Sequence, residues 1–177
     1  MKLLPTPSQT VGPYLHVGLA WLTIDCLAQR ESRGEQLTIE GQVLDGDAQP
    51  VPDAIVEVWQ ADADGRYSSP SFRGFGRMPT DSEGRFRFFT LKPGSVDDPQ
   101  AGKQAPHILV SVFMRGLLKR LVTRIYFPDE PRNADDYVLR QVPVERRGTL
   151  VAQLASAAKL KWNVVLQGEN ETVFFDC

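Results

Sequence analysis

The sequence predicts an all-β protein: a mostly antiparallel β-sandwich with an extended N-terminal arm and little helix. Three observations carry that reading. Hydrophobic residues alternate with period two in at least six short segments, turn chemistry separates those segments, and proline crowds the first fifteen or so residues. A chain of 177 residues fits one domain, 1–177, of which 1–15 is the arm. At that size a domain buries roughly 70% of its unfolded surface.

Pro5, Pro7 and Pro13 withhold backbone donors and bias their neighbours away from helix, so the arm is expected to be extended. Leu37, Ile39 and Val43 share one side of a strand whose Thr38, Glu40 and Gln42 face the other. Turn residues follow at 45–50, and 54–60 (AIVEVWQ) reads as a β-branched, aromatic-rich strand, so these two strands are expected to form a hairpin. Residues 61–76 are polar and Gly-rich, a surface loop. The turn at 80–84 leads into the strand RFRFFTL, with Gly84 supplying the positive φ. The thirteen-residue connection at 92–104 is longer than hairpins use, and such loops often carry function. Strands follow at 107–113 and 121–127. Asn133 to Asp136 opens a short helix with a side-chain oxygen free to cap it. Leu160, Trp162, Val164 and Leu166 alternate through another strand, and a turn at 168–170 leads to a last one at 172–175.

Composition narrows the function. The chain is 42% hydrophobic and 24% charged, which rules out a disordered or collagen-like chain. Lys plus Arg number 20 against 22 Asp plus Glu, so this is no electrostatic nucleic-acid binder. Cys26 and Cys177 make no disulfide framework; they read as inert free thiols in a reducing compartment. Residues 3–24 carry no formal charge, but proline and polar residues interrupt them, so neither a membrane span nor a signal peptide is expected and the location reads as cytoplasmic. Glycine loops for phosphate, paired-cysteine zinc motifs and a serine elbow are all absent.

The two histidines are His16 and His107. Histidines two apart on a strand place both imidazoles on one face, a good start for a metal site, but the position two after His107 is Leu109. On the residues alone, His107 is a strand-end histidine bonded to backbone or solvent.

Three segments resemble one family: TPSQTVGPY at 6–14, VEVWQADADG at 56–65, and Ala105-Pro106-His107 through Arg124-Ile125-Tyr126-Phe127. They are similar to the intradiol ring-cleaving dioxygenases, and within them to alpha chains, as is QGENETVFFD at 167–176. The resemblance covers nearly the whole length. It implies intradiol cleavage of 3,4-dihydroxybenzoate with O2 to 3-carboxy-cis,cis-muconate by a hetero-oligomer, with Fe(III) held by a partner beta chain through two tyrosinates and two histidines.

Against that beta pattern, Lys92-Pro93-Gly94 runs into Ser95 and not a tyrosine, residues 68–75 contain no tyrosine, and the His-x-His is His107-Ile108-Leu109. His107 is thus a lone remnant of the ligand set, and no metal or catalytic residue is expected in this chain. Tyr67 aligns with a loop position and not with a ligand. The resemblance assigns substrate contacts to Thr10, Gly12, Pro13 and Arg115, bordering a cleft shared with the beta chain. Without it, Thr10 and Pro13 read as a surface arm and Arg115 as a solvated strand-end charge. Two further readings stay open on the residues: a transthyretin-like binding module with no enzymatic partner, and a self-sufficient metalloenzyme recruiting His16 and His107 with carboxylates.

Overall fold

The computed structural model describes residues 5–29, 31–67, 72–99 and 102–176. Alternating burial builds two sheets whose apolar faces meet. One joins β1 (Gln36–Leu44), β4 (Arg85–Leu91), β9 (Gln153–Ser156), β10 (Lys159–Lys161) and β11 (Val164–Val165), with β1 between β4 on one side and β10 and β11 on the other. The other has the order β3 (Phe75–Pro79), β2 (Ile55–Gln60), β7 (His107–Phe113), β8 (Leu121–Tyr126). Ile39, Phe86 and Phe88 from the first sheet pack with Val56, Val110, Val112 and Ile125 from the second in one core. This is the expected all-β sandwich, and its pairs are antiparallel except where β1 runs parallel to β10 and β11.

The expected hairpin of 37–43 with 54–60 does not form. β1 pairs with β4, whereas β2 pairs with β3 and β7, so the turn after β1 carries the chain from one sheet to the other. Each strand buries its own apolar side in the shared core. The turn itself is closed by an isolated bridge between Leu44 and Pro50, which goes no further along either strand.

The alternating segment at 160–166 is likewise split, and glycine is the reason it can be. β10 leaves β1 after Glu40 and β11 joins at Val43; between them the Trp162 carbonyl oxygen occupies the space that a Cβ on Gly41 would need. Any side chain there collides with backbone. The break is satisfied by Trp162 N–H donating to the Glu40 carbonyl at 2.9 Å and Gln42 N–H donating to Asn163 Oδ1 at 3.2 Å.

Three further expectations need correction. The arm is without regular structure at 5–12, but helix α1 (Tyr14–Leu19) begins before residue 15, where proline no longer restrains the backbone. The loop at 61–76 ends in β3, an edge strand whose outer side makes only an isolated bridge from Arg77 to Ile24, so Pro79 at its end breaks no ladder, while Gly76 leaves the room that Leu27, Val58 and the Ile24 carbonyl take up. The last strand at 172–175 reduces to a bridge from Phe175 to Val122. The long connection at 92–104 contains a two-stranded ribbon, β5 (Val96–Asp98) with β6 (Gly102–Gln104). Asp136 caps the short helix α2 (Tyr137–Gln141), its carboxylate accepting from Leu139 N–H at 2.8 Å. Among the described residues no helix is long and apolar enough to cross a membrane.

Candidate functional site

The residues singled out by the sequence fall at the two ends of β7, about 20 Å apart by the rise of a seven-residue strand. Beyond its C-terminal end the chain turns at Met114 to Leu117, with Gly116 at φ +87°. Gly116 N–H donates to Thr10 Oγ1 at 3.0 Å, which ties the arm to this turn. Next to it Arg115 Nε donates to Asp53 Oδ2, and the Arg115 side chain stays 63% exposed. With Nε committed, both terminal nitrogens of the guanidinium are available to a further acceptor. Gly12 adopts φ +65°, a left-handed conformation that folds the arm back, and the Pro13 carbonyl accepts from Val17 N–H at 3.4 Å to open α1. Thr10 and Arg115 are therefore neighbours, with Gly12 and Pro13 in the chain that follows Thr10. Asp53, which orients the arginine, carries no sequence signal: it sits in the turn between β1 and β2.

At the N-terminal end of β7, His107 is 4% exposed and its Nδ1 lies 2.8 Å from the Ala105 carbonyl. The neutral ring donates there through Nδ1–H. Burial, reinforced by the Arg124 cation, lowers its pKa to about 4. An unfolded histidine titrates near 6.5. Above that value His107 is neutral in both states and has no effect; as pH falls from about 6.5 to about 4, the unfolded chain takes up a proton the folded chain refuses. Stability is expected to fall across this window, and the His107→Gln variant should lose that part of the slope in urea titrations at stepped pH. An unchanged slope would show that His107 takes no part in it.

Beside His107, Tyr126 and Asp136 are both fully buried. Tyr126 O–H donates to Asp136 Oδ1 at 2.9 Å, and Asp136 Oδ2 accepts from Ala105 N–H at 2.9 Å. Burial raises the Tyr126 pKa, so the phenol keeps its proton. Arg124 donates through Nη1 to Gln104 Oε1 at 2.8 Å, and Gln104 Nε2 donates to Asp98 Oδ2 at 2.7 Å.

Ferric ion is a hard cation that wants anionic oxygen donors with imidazole. This end of β7 offers one imidazole, an apolar Leu109 in the next position on the same face, a protonated phenol and a guanidinium. Those residues do not fit Fe(III). Among the described residues no group of three or more His, Cys, Asp or Glu could hold a metal. Tyr67 stacks on Trp59 with centroids 5.9 Å apart, as a loop residue covering the sheet. Of the 68–75 stretch, 68–71 lies outside the described residues. His16 falls on α1, and its side chain is also outside them.

The dioxygenase family pattern matches residues 22–168. The protocatechuate 3,4-dioxygenase alpha chain of Pseudomonas putida is 40% identical over 99% of this chain and 98% of its own length. That of Burkholderia cepacia is 42% identical over 98% of each chain. The protocatechuate 3,4-dioxygenase beta chain of Burkholderia cepacia is 35% identical over 93% of this chain and 77% of its own. Among solved structures, the dioxygenase domain of a dioxygenase carbohydrate-binding fusion protein from Streptomyces superposes with a TM-score of 0.66 at 27% identity, covering 93% of this chain and 99% of that one. A family match spanning most of the sequence, a near full-length likeness to alpha chains and the same sandwich in a solved dioxygenase agree: the chain belongs to the intradiol ring-cleaving dioxygenase family.

Proposed function

We propose that this chain is the alpha chain of a cytoplasmic protocatechuate 3,4-dioxygenase, and that it completes the substrate cleft of a catalytic beta chain without holding iron itself. The beta chain of the hetero-oligomer would hold Fe(III), which would supply the chemistry of intradiol cleavage of 3,4-dihydroxybenzoate with O2 to 3-carboxy-cis,cis-muconate. The observation that carries the reading is the Thr10 to Gly116 hydrogen bond, which brings the arm beside an exposed guanidinium oriented by Asp53. That end of β7 presents donors for a carboxylate, and among the described residues no group of three or more metal-ligand side chains gathers there, which is half of a site. Arg115 receives the ring carboxylate; Thr10, Gly12 and Pro13 form the adjoining wall. A binding module without an enzymatic partner is not favoured, given the likeness to alpha chains over nearly the whole length.

The metal side of the proposal is tested on the chain expressed alone. It is expected to bind no stoichiometric Fe(III) and to lack the visible charge-transfer colour of tyrosinate-iron. Iron analysis and a visible spectrum check this, and a coloured, iron-loaded, active preparation of this chain by itself would overturn it.

The arm is proposed to lie against the beta chain. Tyr14 and Val17 on α1 and Trp21 just past its end are 81%, 71% and 78% exposed, three large apolar side chains directly after the arm. Exposed apolar residues so close together mark an interaction surface. A proline-rich segment also loses less entropy on docking than a flexible one. Deleting residues 1–13 is expected to weaken assembly with the beta chain or raise KM while the sandwich stays folded. Unchanged co-purification and unchanged KM in the truncated complex would contradict it.

A further inference from the structure

The outer face of the β3-β2-β7-β8 sheet carries a feature that the alpha-chain role does not use. Trp59 on β2 is in register with Leu109 on β7, and Leu109 with Arg124 on β8. Residues paired across antiparallel strands share a face, so an aromatic ring, an apolar floor and a cation lie in one row spanning two strand spacings, about 10 Å. Trp59 is 41% exposed, and Leu109 and Arg124 are half-buried. Tyr67 stacks on Trp59 and raises that end of the row into an aromatic wall. Its phenol also feels the Arg124 charge, which opposes the effect of burial there.

The cation is the unusual member. Arg124 is half-buried, yet its hydrogen-bond acceptors among the described residues are the neutral Gln104 Oε1 at 2.8 Å and Tyr126 Oη at 3.4 Å. No carboxylate among the described residues pairs with it within 4.0 Å: Asp98 is reached only through Gln104, from which it accepts, and Asp136 only through Tyr126, accepting also from Ala105 and Leu139. A partly desolvated guanidinium with only neutral partners favours an anion. His107 beside it is neutral and supplies no competing charge of either sign.

We propose that this row is a second binding site, specific for a small aromatic carboxylate, with the carboxylate on Arg124 and the ring over Leu109 against the Trp59 and Tyr67 wall. A benzoate-sized ligand fits the row, because its carboxylate and the far edge of its ring are separated by less than the span from Arg124 to Trp59. The site lies at the other end of β7 from Arg115 and needs no metal and no partner residue; its test in the assembled complex rests on the proposed alpha-chain role, and the Arg124 and Leu109 variants separate the two.

The test uses the assembled complex carrying Arg115→Ala, which weakens the proposed substrate contact, and measures uptake of radiolabelled benzoate by equilibrium dialysis. A saturable site is expected to remain, about one per chain of this type. Arg124→Gln should weaken it about tenfold or more, as loss of a charge-assisted contact does. Leu109→Asp, which sets a carboxylate directly opposite the guanidinium, should abolish it while the cation is kept. Acetate, with no ring, should compete far more weakly than benzoate. Benzoate should also change tryptophan fluorescence in the parent and not in Trp59→Phe. Binding that is unchanged in both Arg124→Gln and Leu109→Asp, or the absence of saturable binding in the Arg115→Ala complex, overturns the proposal. Should Arg124→Gln fail to fold, Leu109→Asp and the acetate comparison decide it alone.

Discussion

Arg115→Ala in the assembled complex is expected to lower kcat/KM for protocatechuate by about 2 kcal/mol or more, roughly thirtyfold, while catechol loses much less. The difference follows from where charge lies on the two substrates. Protocatechuate carries a ring carboxylate at neutral pH, on the side of the ring away from its two hydroxyls, and catechol carries none. A guanidinium meets that carboxylate with a rigid pair of donors and keeps its charge at any working pH. In the free chain the Arg115 side chain is 63% exposed, and an ion pair at that exposure is worth little. The expected loss therefore depends on the beta chain covering the site and removing its water. Asp53 acts through Arg115: it fixes Nε and so the direction of the terminal nitrogens. Asp53→Asn should raise KM for protocatechuate by less than Arg115→Ala does and leave catechol unaffected. The deciding quantity is the ratio of the losses for the two substrates. Equal losses would mean that Arg115 supports the fold or the interface and does not read the carboxylate.

The strands legible in the sequence are those with one wet face. β1 alternates half-buried and buried without a break, and β4 and β7 alternate too apart from two adjacent buried residues at the end of β4 and at the start of β7, so period two finds them. Which strand pairs with which is another matter, because Asp45 to Pro50 would turn a hairpin or a sheet-to-sheet crossing equally well. The choice is made by partners distant in the chain: β4 for β1, and β7 for β2. β3 is hidden for a related reason: Pro79 is tolerated because β3 is an edge strand, and Gly76 because Leu27, Val58 and the Ile24 carbonyl fill the place of a side chain, both consequences of residues distant in the chain. The break at Trp162 follows from its carbonyl resting on Gly41, a contact between residues with no sequence proximity.

The candidate site divides in the same way. Thr10, Gly12, Pro13 and Arg115 are indicated by likeness to a family and not by any local pattern, and their closeness rests on a hydrogen bond between residues 106 positions apart. Leu109 reads in the sequence as a missing ligand. Its neighbours explain more than its identity does, for Arg124 in the adjacent register position places a cation where a metal would have to compete with it. Asp53 and Asp136, single acids in unremarkable segments, acquire their roles only through folding.

Asp136→Ala should destabilise the fold strongly. Asp136 is fully buried and accepts three hydrogen bonds, from Ala105 N–H at 2.9 Å, Leu139 N–H at 2.8 Å and Tyr126 O–H at 2.9 Å. Those donors belong to the approach to β7, to the first turn of α2 and to the end of β8, so one carboxylate joins three elements around the smaller apolar cluster of Ala105, Tyr126, Leu139, Val142 and Leu150. Asp136→Ala strands all three donors where water does not reach them, and each buried donor left without a partner costs about 1–3 kcal/mol. Relaxation recovers part of that, so a loss of about 3 kcal/mol or more is expected in urea unfolding. Asp136→Asn keeps one acceptor oxygen and should lose less, while Tyr126→Phe removes one donor together with its need and should lose least. That order, with alanine worst and the phenylalanine variant mildest, separates a satisfied hydrogen-bond hub from a simple helix cap. A cap alone would show only the Leu139 contribution, about 1 kcal/mol, with Tyr126→Phe neutral. The protection of the Ala105 amide against hydrogen exchange should collapse in Asp136→Ala; if it persists at the parent value, the hub is not what joins β7 to the helix beside it.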